Sequence, residues 1–227
     1  MAKILNIESS TDICSIAIAE DGKELFLVEQ RGPQVHTKYM TIMIKSCMEG
    51  ANLSFGQLDA IAVSAGPGSY TSLRIGVTTA KAIAYAHNIP MIAVCTLEGL
   101  SYGLPRLKEG EKVIAMIDAR REEVYAGVYN DQHEQLLAPE PHILSKNSFL
   151  EWLDNSHVVY LVGNGAPKAK KWLDSAHFIL KEIQCSASYM VRPSFEAFQE
   201  GIFEDIAYYT PNYIKGANIT KSKKSLF

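Results

Sequence analysis

The stretch Ser64-Ala65-Gly66-Pro67-Gly68-Ser69-Tyr70-Thr71-Ser72-Leu73-Arg74-Ile75-Gly76 has the residue types and spacing to hold an anion. It follows a short apolar run, Ala60-Ile61-Ala62-Val63, and its Gly66 and Gly68 permit backbone angles that side-chained residues avoid. Thr71 or Ser72 is placed to cap a helix running to about Ala86. A glycine turn that opens onto a helix N-terminus presents unpaired N–H groups and the positive end of a dipole, an arrangement suited to phosphate. Two carboxylates stand at the ends of other apolar runs: Glu8 after Ile4-Leu5-Asn6-Ile7, and Asp118 after Ile114-Ala115-Met116-Ile117. A nucleotide-using enzyme needs such acids beside its phosphate turns to handle magnesium and proton transfer. Glu8, Gly66, Gly68 and Asp118 are therefore the candidate nucleotide-binding groups. Against that reading, the turns beside the two acids, Ser9-Ser10-Thr11 and Ala119-Arg120-Arg121, lack glycine. Arg120 and Arg121 are expected to pair with Glu122, Glu123 or a partner, and Gly163-Asn164-Gly165 reads equally well as a turn ending a strand.

Other chemistries have less behind them. The six histidines are His36, His87, His133, His142, His157 and His177, and no two stand three or four residues apart on one helix, so a converging metal site is not signalled. His36 reads as a polar surface or interface residue. Ser64, Ser69 and Ser72 have no evident His/Asp partner for nucleophilic catalysis. Cys14, Cys47, Cys95 and Cys185 lack a paired spacing and read as reduced, buried thiols. No catalytic residue, metal or cofactor is expected from these patterns. A net charge of −3 gives no general attraction to nucleic acid, although Lys215, Lys221, Lys223 and Lys224 mark residues 215–227 as a basic, flexible tail. The N-terminal apolar run is too short for a signal peptide or a membrane span, which places the protein in the cytoplasm.

The elements that must position these groups read as a duplicated α/β unit. Laying Glu8 on Asp118, an offset of 110 residues, also aligns alternating Cys14, Ile16 and Ile18 with Val124, Ala126 and Val128, so each copy reads as a β-hairpin. Residues 37–50 and 72–86 read as helices, and 60–64, 91–94 and 158–162 as strands. Ser148 and Glu151 have capping-box spacing for a short helix through Leu153, and 167–173 reads as a helix. A final helix over 187–199 is expected to break near Pro193 and stop at Gly201. Turn formers and charges from Pro105 to Gly110 mark the junction, dividing the chain into 1–104, 105–214 and the tail.

Two helices carry a candidate partner surface. Ser72, Gly76, Ala80 and Ala84 form a nearly side-chain-free stripe that another helix could approach closely, with Ile83 beside it. The first helix, with Tyr39, Met40, Met43 and Cys47, carries more apolar surface than one buried face requires.

Gly66-Pro67-Gly68-Ser69-Tyr70-Thr71-x-Leu73-Arg74-Ile75-Gly76, Asp118-Ala119-Arg120-Arg121-x-Glu123-Val124-Tyr125 and Pro211-x-Tyr213-Ile214-Lys215 together resemble the TsaB (YeaZ) family across nearly the whole chain. Ser72 departs from the glycine usual there. The resemblance implies an actin-like (ASKHA) fold of two RNase H-like lobes and a role in forming N6-threonylcarbamoyladenosine beside the anticodon of tRNAs that read codons beginning with A. It further implies a non-catalytic subunit that binds and activates the TsaD paralogue through the two helices of the first lobe, and a homodimer formed in a similar way when TsaD is absent. A TsaE ATPase would engage the pair, and tRNA would be met through the complex. TsaD itself carries a metal site built on paired histidines, which this chain lacks. The alternative is an ATP-binding enzyme, kinase-like or glycoprotease-like, of the same superfamily.

Overall fold

The computed structural model describes residues 1–104, 106–153, 157–173, 176 and 178–215. Pro105 at the expected junction, His177, and the tail lysines Lys221, Lys223 and Lys224 lie outside them. The chain opens with an antiparallel meander, β1 (Lys3–Glu8), β2 (Ile13–Glu20) and β3 (Lys23–Arg31). Helix α1 (Val35–Gly50) then leads to β4 (Ala60–Gly66), parallel to β1, and α2 (Tyr70–His87) leads to β5 (Met91–Cys95), parallel to β4. Each parallel step needs a crossover, and a helix supplies it. The second half repeats the pattern with β6 (Lys112–Asp118), β7 (Glu123–Tyr129), β8 (Gln135–Ile143), β9 (Val159–Val162), the short α4 (Ala166–Ala169) and β10 (Phe178–Leu180). The two sheets run β3-β2-β1-β4-β5 and β10-β9-β6-β7-β8, the same order in each copy.

The lobes exchange their last helices. α3 (Thr96–Ser101) leaves the first sheet and sets Leu97 and Leu100 against Val113, Ala115 and Ile117 of the second. α5 (Val191–Glu200) leaves the second sheet and sets Phe195 and Phe198 against Ile4, Ala60, Ala62 and Ile92 of the first. Residues 187–200, grouped with the second lobe by linear division, thus cover the first. α1 and α2 lie on the outer face of the first sheet over Leu5, Ile7, Cys14, Ile16 and Ile18, and α4 lies on the outer face of the second over Ile114 and Met116. This is a two-lobed, actin-like α/β fold with α3 and α5 as its middle layer.

Several local expectations are corrected. β3 and β8 were not evident in the sequence: both are edge strands, one rich in charge and the other holding Pro139 and Pro141, which only an edge tolerates. α2 begins at Tyr70 with Ser69 as its cap residue, and Thr71 and Ser72 fall in its first turn, where the Ser72 hydroxyl donates to Ser69 Oγ at 3.0 Å. Ser148 caps no helix, because its Oγ accepts from Ser145 N at 2.8 Å and meets His142 Nε2 at 2.9 Å, leaving a single 3-10 turn at Leu150–Trp152. The helix expected over 167–173 is helical only to Ala169. Pro193 sits in the first turn of α5, where its missing N–H costs nothing, so it breaks no helix, and Gly201 closes α5 at φ 70°. Among the described residues, no helix is long and apolar enough to cross a membrane.

The small stripe of α2 faces inward. Gly76, Ala80 and Ala84 are buried, and a side chain built on Gly76 would overlap Ser9 Oγ and lie 3.5 Å from Val63. The stripe lets α2 lie close on its own sheet, so charge at Gly76 or Ala80 attacks the fold rather than a partner surface. Ala80→Glu, which would bury an unpaired carboxylate, is expected to cost roughly 3 kcal/mol or more in urea unfolding. Ala82→Glu, on the exposed side of the same helix, should stay within about 0.5 kcal/mol of wild type. Equal losses at the two positions would reverse this assignment of faces.

Candidate functional site

The glycine turn is filled by the protein's own backbone. Gly66, at φ 101°, comes so close to Asn212 that a Cβ there would sit 2.8 Å from Asn212 O, and a Cβ on Gly68 would overlap Ser10 O. Ser69 N donates to Ser10 O at 2.7 Å, Ser9 N to Ser64 Oγ at 3.0 Å, and Asn212 N to Ala65 O at 2.7 Å. The glycines therefore admit two neighbouring segments, the Ser9–Thr11 turn on one side and the C-terminal segment on the other. That segment continues with Tyr213 tilted against Tyr70, ring centroids 4.6 Å apart, and the Arg74 guanidinium lies 4.9 Å from the centre of the Tyr70 ring. It reaches the second lobe through an ion pair from Lys215 to Glu123.

Glu8 and Asp118 do not converge. Along β1, Leu5 and Ile7 face α1 and α2, so Asn6 and Glu8 face the other way, toward the middle layer, where Asn6 Oδ1 accepts from Ser194 of α5 at 2.7 Å. Along β6, Val113, Ala115 and Ile117 face the middle layer, while Ile114 and Met116 face α4. Asp118 follows the latter pair, and its Oδ1 meets Lys168 Nζ of α4 at 2.5 Å. In the hairpins, Glu8 lies opposite Ser15 and Ile117 opposite Tyr125. The repeat offset is thus 109 over the first strand and 110 over the second, and the second turn is one residue longer. A one-residue shift flips a side chain to the opposite face. The residue equivalent to Glu8 is Ile117.

Each acid is committed to its own surroundings. Glu8, 2% exposed, accepts from Ser10 N at 2.6 Å. Burial pushes its pKa above the ordinary carboxylate range, with opposing hydrogen bonds from Ser10, Ser64 and Ser9. The nearby thiols of Cys14 and Cys185 are also pushed up by burial and then by the Glu8 charge, Cys14 to about 12, which makes both poor nucleophiles. Asp118 accepts from Arg120 N at 2.5 Å as well as from Lys168, and its own N–H donates to Asn164 Oδ1 at 2.8 Å. Gly163 and Gly165 let that Asn164 turn press against the end of β6. Lys168 was not evident as the partner of Asp118, since fifty residues separate them and only the sheet order joins them. The C-terminal motif did carry a signal for Tyr213 and Lys215.

Arg120 and Arg121 do not pair with Glu122 or Glu123. Glu122 accepts from Trp172 Nε1 at 3.2 Å, and Glu123 holds Lys215. Both arginines are exposed and left-handed, at φ 71° and 51°, a conformation that costs an ordinary residue roughly 1–2 kcal/mol.

His36 is buried rather than at the surface, and its Nε2 donates to Ile13 O at 3.2 Å. Burial lowers its pKa. Among the described residues, no three His, Cys, Asp or Glu gather where they could hold a metal ion, so the groups present do not fit a histidine-built metal site.

On the outer face of the first lobe, Met40, Met43, Cys47, Ala80 and Ala84 belong to the lobe's own core, and Gly76 is buried beside them. Ser72 and Ile83 are half-buried, and Tyr39 is 40% exposed. The surface between α1 and α2 has a different membership. Thr71, Ile75, Thr78, Ala82 and Tyr85 recur every three or four residues along α2, and Ile42 of α1 is 58% exposed. Between the helices lies an apolar groove of about 350 Å³ lined by Thr41, Ile44, Phe55, Thr78, Ala82 and Ile83.

The sequence profile of the family described as TsaD, tRNA N6-adenosine threonylcarbamoyltransferase, matches residues 32–225. The tRNA threonylcarbamoyladenosine biosynthesis protein TsaB of Haemophilus influenzae is 33% identical over 122 residues, 54% of this chain and 51% of that protein, so the match spans about half the length of that relative. The protein of the same name from Buchnera aphidicola is 30% identical over 154 residues, 67% of this chain and 69% of its own. The solved structure of YeaZ from Pseudomonas aeruginosa superposes with a TM-score of 0.79 at 25% identity, covering 94% of this chain and all of that one. With its two-lobed fold, its motifs and these likenesses, the chain belongs to the TsaD family of tRNA threonylcarbamoyladenosine proteins, among its TsaB (YeaZ) members.

Proposed function

We propose that this chain is a non-catalytic subunit that binds and activates the TsaD paralogue in forming N6-threonylcarbamoyladenosine on tRNA in the cytoplasm. Residues 1–104 serve as the partner-binding lobe and 105–214 as its support. The observation that carries the reading is Ile117: where the second lobe would have to turn a carboxylate toward the first, it presents an apolar side chain. A magnesium-nucleotide site needs acids converging on one space. Here Glu8 is buried under Ser10 and Asp118 is bound to Lys168 on another face. The filled glycine turn supports the same reading.

The surface offered to TsaD is the outer face of α1 and α2, with Tyr39, Ile42, Ile83 and Tyr85 around the groove and the repeat from Thr71 to Tyr85 as its ridge. Apolar side chains left in water at helical spacing suit another helix pair. A second copy of this chain would meet the same face in the absence of TsaD, and the TsaE ATPase would join the assembled pair.

Ile42→Glu combined with Ala82→Arg is expected to weaken TsaD binding in calorimetric titration at least tenfold, about 1.4 kcal/mol, with an unchanged unfolding midpoint. Wild-type affinity in the folded variant would remove the face from the interface.

In a reconstitution with TsaD and TsaE, Glu8→Gln with Asp118→Asn is expected to retain tRNA modification within about threefold, since both substitutions keep the acceptor oxygens. A loss of two orders of magnitude with intact assembly would instead favour an ATP-using enzyme. Glu8→Gln alone has a pH signature. Because folding raises the Glu8 pKa, the native state disfavours the ionised form; that penalty is absent well below pH 4.5 and develops as pH rises through the higher native value. The variant should therefore melt higher than wild type at pH 8, with the difference shrinking toward pH 4.

A further inference from the structure

We propose that the hairpin tip at Arg120–Arg121 is a contact for the phosphodiester backbone of a structured RNA. Every carboxylate beside the tip already has a donor: Asp118 has Lys168 and the Arg120 N–H, Glu122 has the Trp172 indole, and Glu123 has Lys215. The two guanidinium groups are exposed and, among the described residues, make no ion pair. Left-handed backbone is ordinarily given to glycine, asparagine or aspartate. This turn holds two arginines in a row there, at φ 71° and 51°, and spends that strain to project both side chains from the tip.

The neighbouring segment adds charge of the same sign. Lys168 Nζ lies 2.7 Å from Arg121 O, and Trp172 bonds Glu122, so residues 168–172, Lys-Ala-Lys-Lys-Trp, run alongside the tip. Lys170 and Lys171 of that run are exposed. Among the described residues of the turn and of the 168–172 run, with Lys215, six cations (Arg120, Arg121, Lys168, Lys170, Lys171 and Lys215) stand beside three acids (Asp118, Glu122 and Glu123), in a chain whose net charge is −3. Arginine forks match phosphate oxygens bidentately. The charges lie on a projecting turn, which fits an extended backbone better than a single nucleotide. A protein interface would need a desolvated apolar centre, whereas Trp172 here is half-buried and already bonded to Glu122.

The contact rests on the tip; that the RNA is a tRNA rests on the function proposed above. The test is fluorescence anisotropy of a labelled, unmodified transcript of a tRNA that reads an A-initial codon, titrated with the full chain assembled with TsaD and TsaE. The variant is Arg120→Asn with Arg121→Gly, which suits the left-handed turn and preserves folding. It is expected to bind on the order of tenfold more weakly at 100 mM salt, with the slope of log affinity against log salt reduced by about 2. Arg120→Lys with Arg121→Lys should retain the slope. Unchanged affinity and slope in the Asn-Gly variant, or no binding by the wild-type assembly, overturns the proposal. So does loss of TsaD or TsaE from the variant complex with RNA binding intact, which would assign the tip to a protein. Modification yield is read separately. If omitting the chain leaves yield unchanged while the salt-dependent contact persists, the proposed function fails and the contact stands; if yield depends on the chain and the variant binds RNA as wild type does, the contact fails and the function stands.

Discussion

The hydrogen bond from Ser69 N to Ser10 O, made possible by the missing side chain of Gly68, is the constraint on which the rest depends. It seats the end of β4 directly on the turn between β1 and β2, and so fixes where α2 begins. Once α2 starts there, its small residues must run along the sheet, because Gly76 passes over Ser9 with no space for a side chain. The same seating shuts Glu8 beneath Ser10, where it is 2% exposed. A turn that could have received phosphate is instead a joint between segments of one chain. Asn212 completes it from the far side, and the chain from there to Lys215 ties the first lobe's turn to the second lobe's hairpin.

Much of this architecture was legible in the sequence. The apolar runs of β1, β4, β5, β6 and β9, the hairpin pattern of each copy, and the two long helices are all encoded by local periodicity and punctuation. The edge strands were not, because an edge strand needs only one neighbour and tolerates the charges of β3 and the prolines of β8. Nor was the phase of β6. From Val113 to Ile117 every residue is buried, since α3 covers one face of the sheet and α4 the other. Where both faces are apolar, alternation carries no information about which residue points where. Asp118 therefore looked like the twin of Glu8, and the faces of β6, with Ile117 toward the middle layer and Asp118 toward Lys168, show that it is not.

The direction of the α2 stripe was hidden for a related reason. Small residues every four positions say that something approaches the helix closely, and a sheet satisfies that as well as another helix does. The burial of Gly76, Ala80 and Ala84 assigns the close approach to β4 and the Ser9 turn. The exposed face of α2 lies about half a turn away. There Thr78, Ala82 and Tyr85 are solvent-exposed, with a moderate size that a periodicity argument passes over.

The two lobes share one strand order yet spend their equivalent turns differently, and the difference follows from where the nearest counter-charge lies. In the first lobe the turn is packed beneath the glycine corner, so its carboxylate can be satisfied only by neutral hydroxyls and backbone, and burial holds its pKa high. In the second lobe the strand phase is shifted by one residue, so Asp118 faces α4, where Lys168 meets it. Neutralising that acid removes the natural partner of the arginines that follow it. The two hairpins, alike in strand order, thus differ by one residue of turn length, one forming an interior joint and the other an exposed tip with two arginines that are unpaired among the described residues. Both outcomes keep the two acids apart, Glu8 buried beneath Ser10 and Asp118 held by Lys168 on another face.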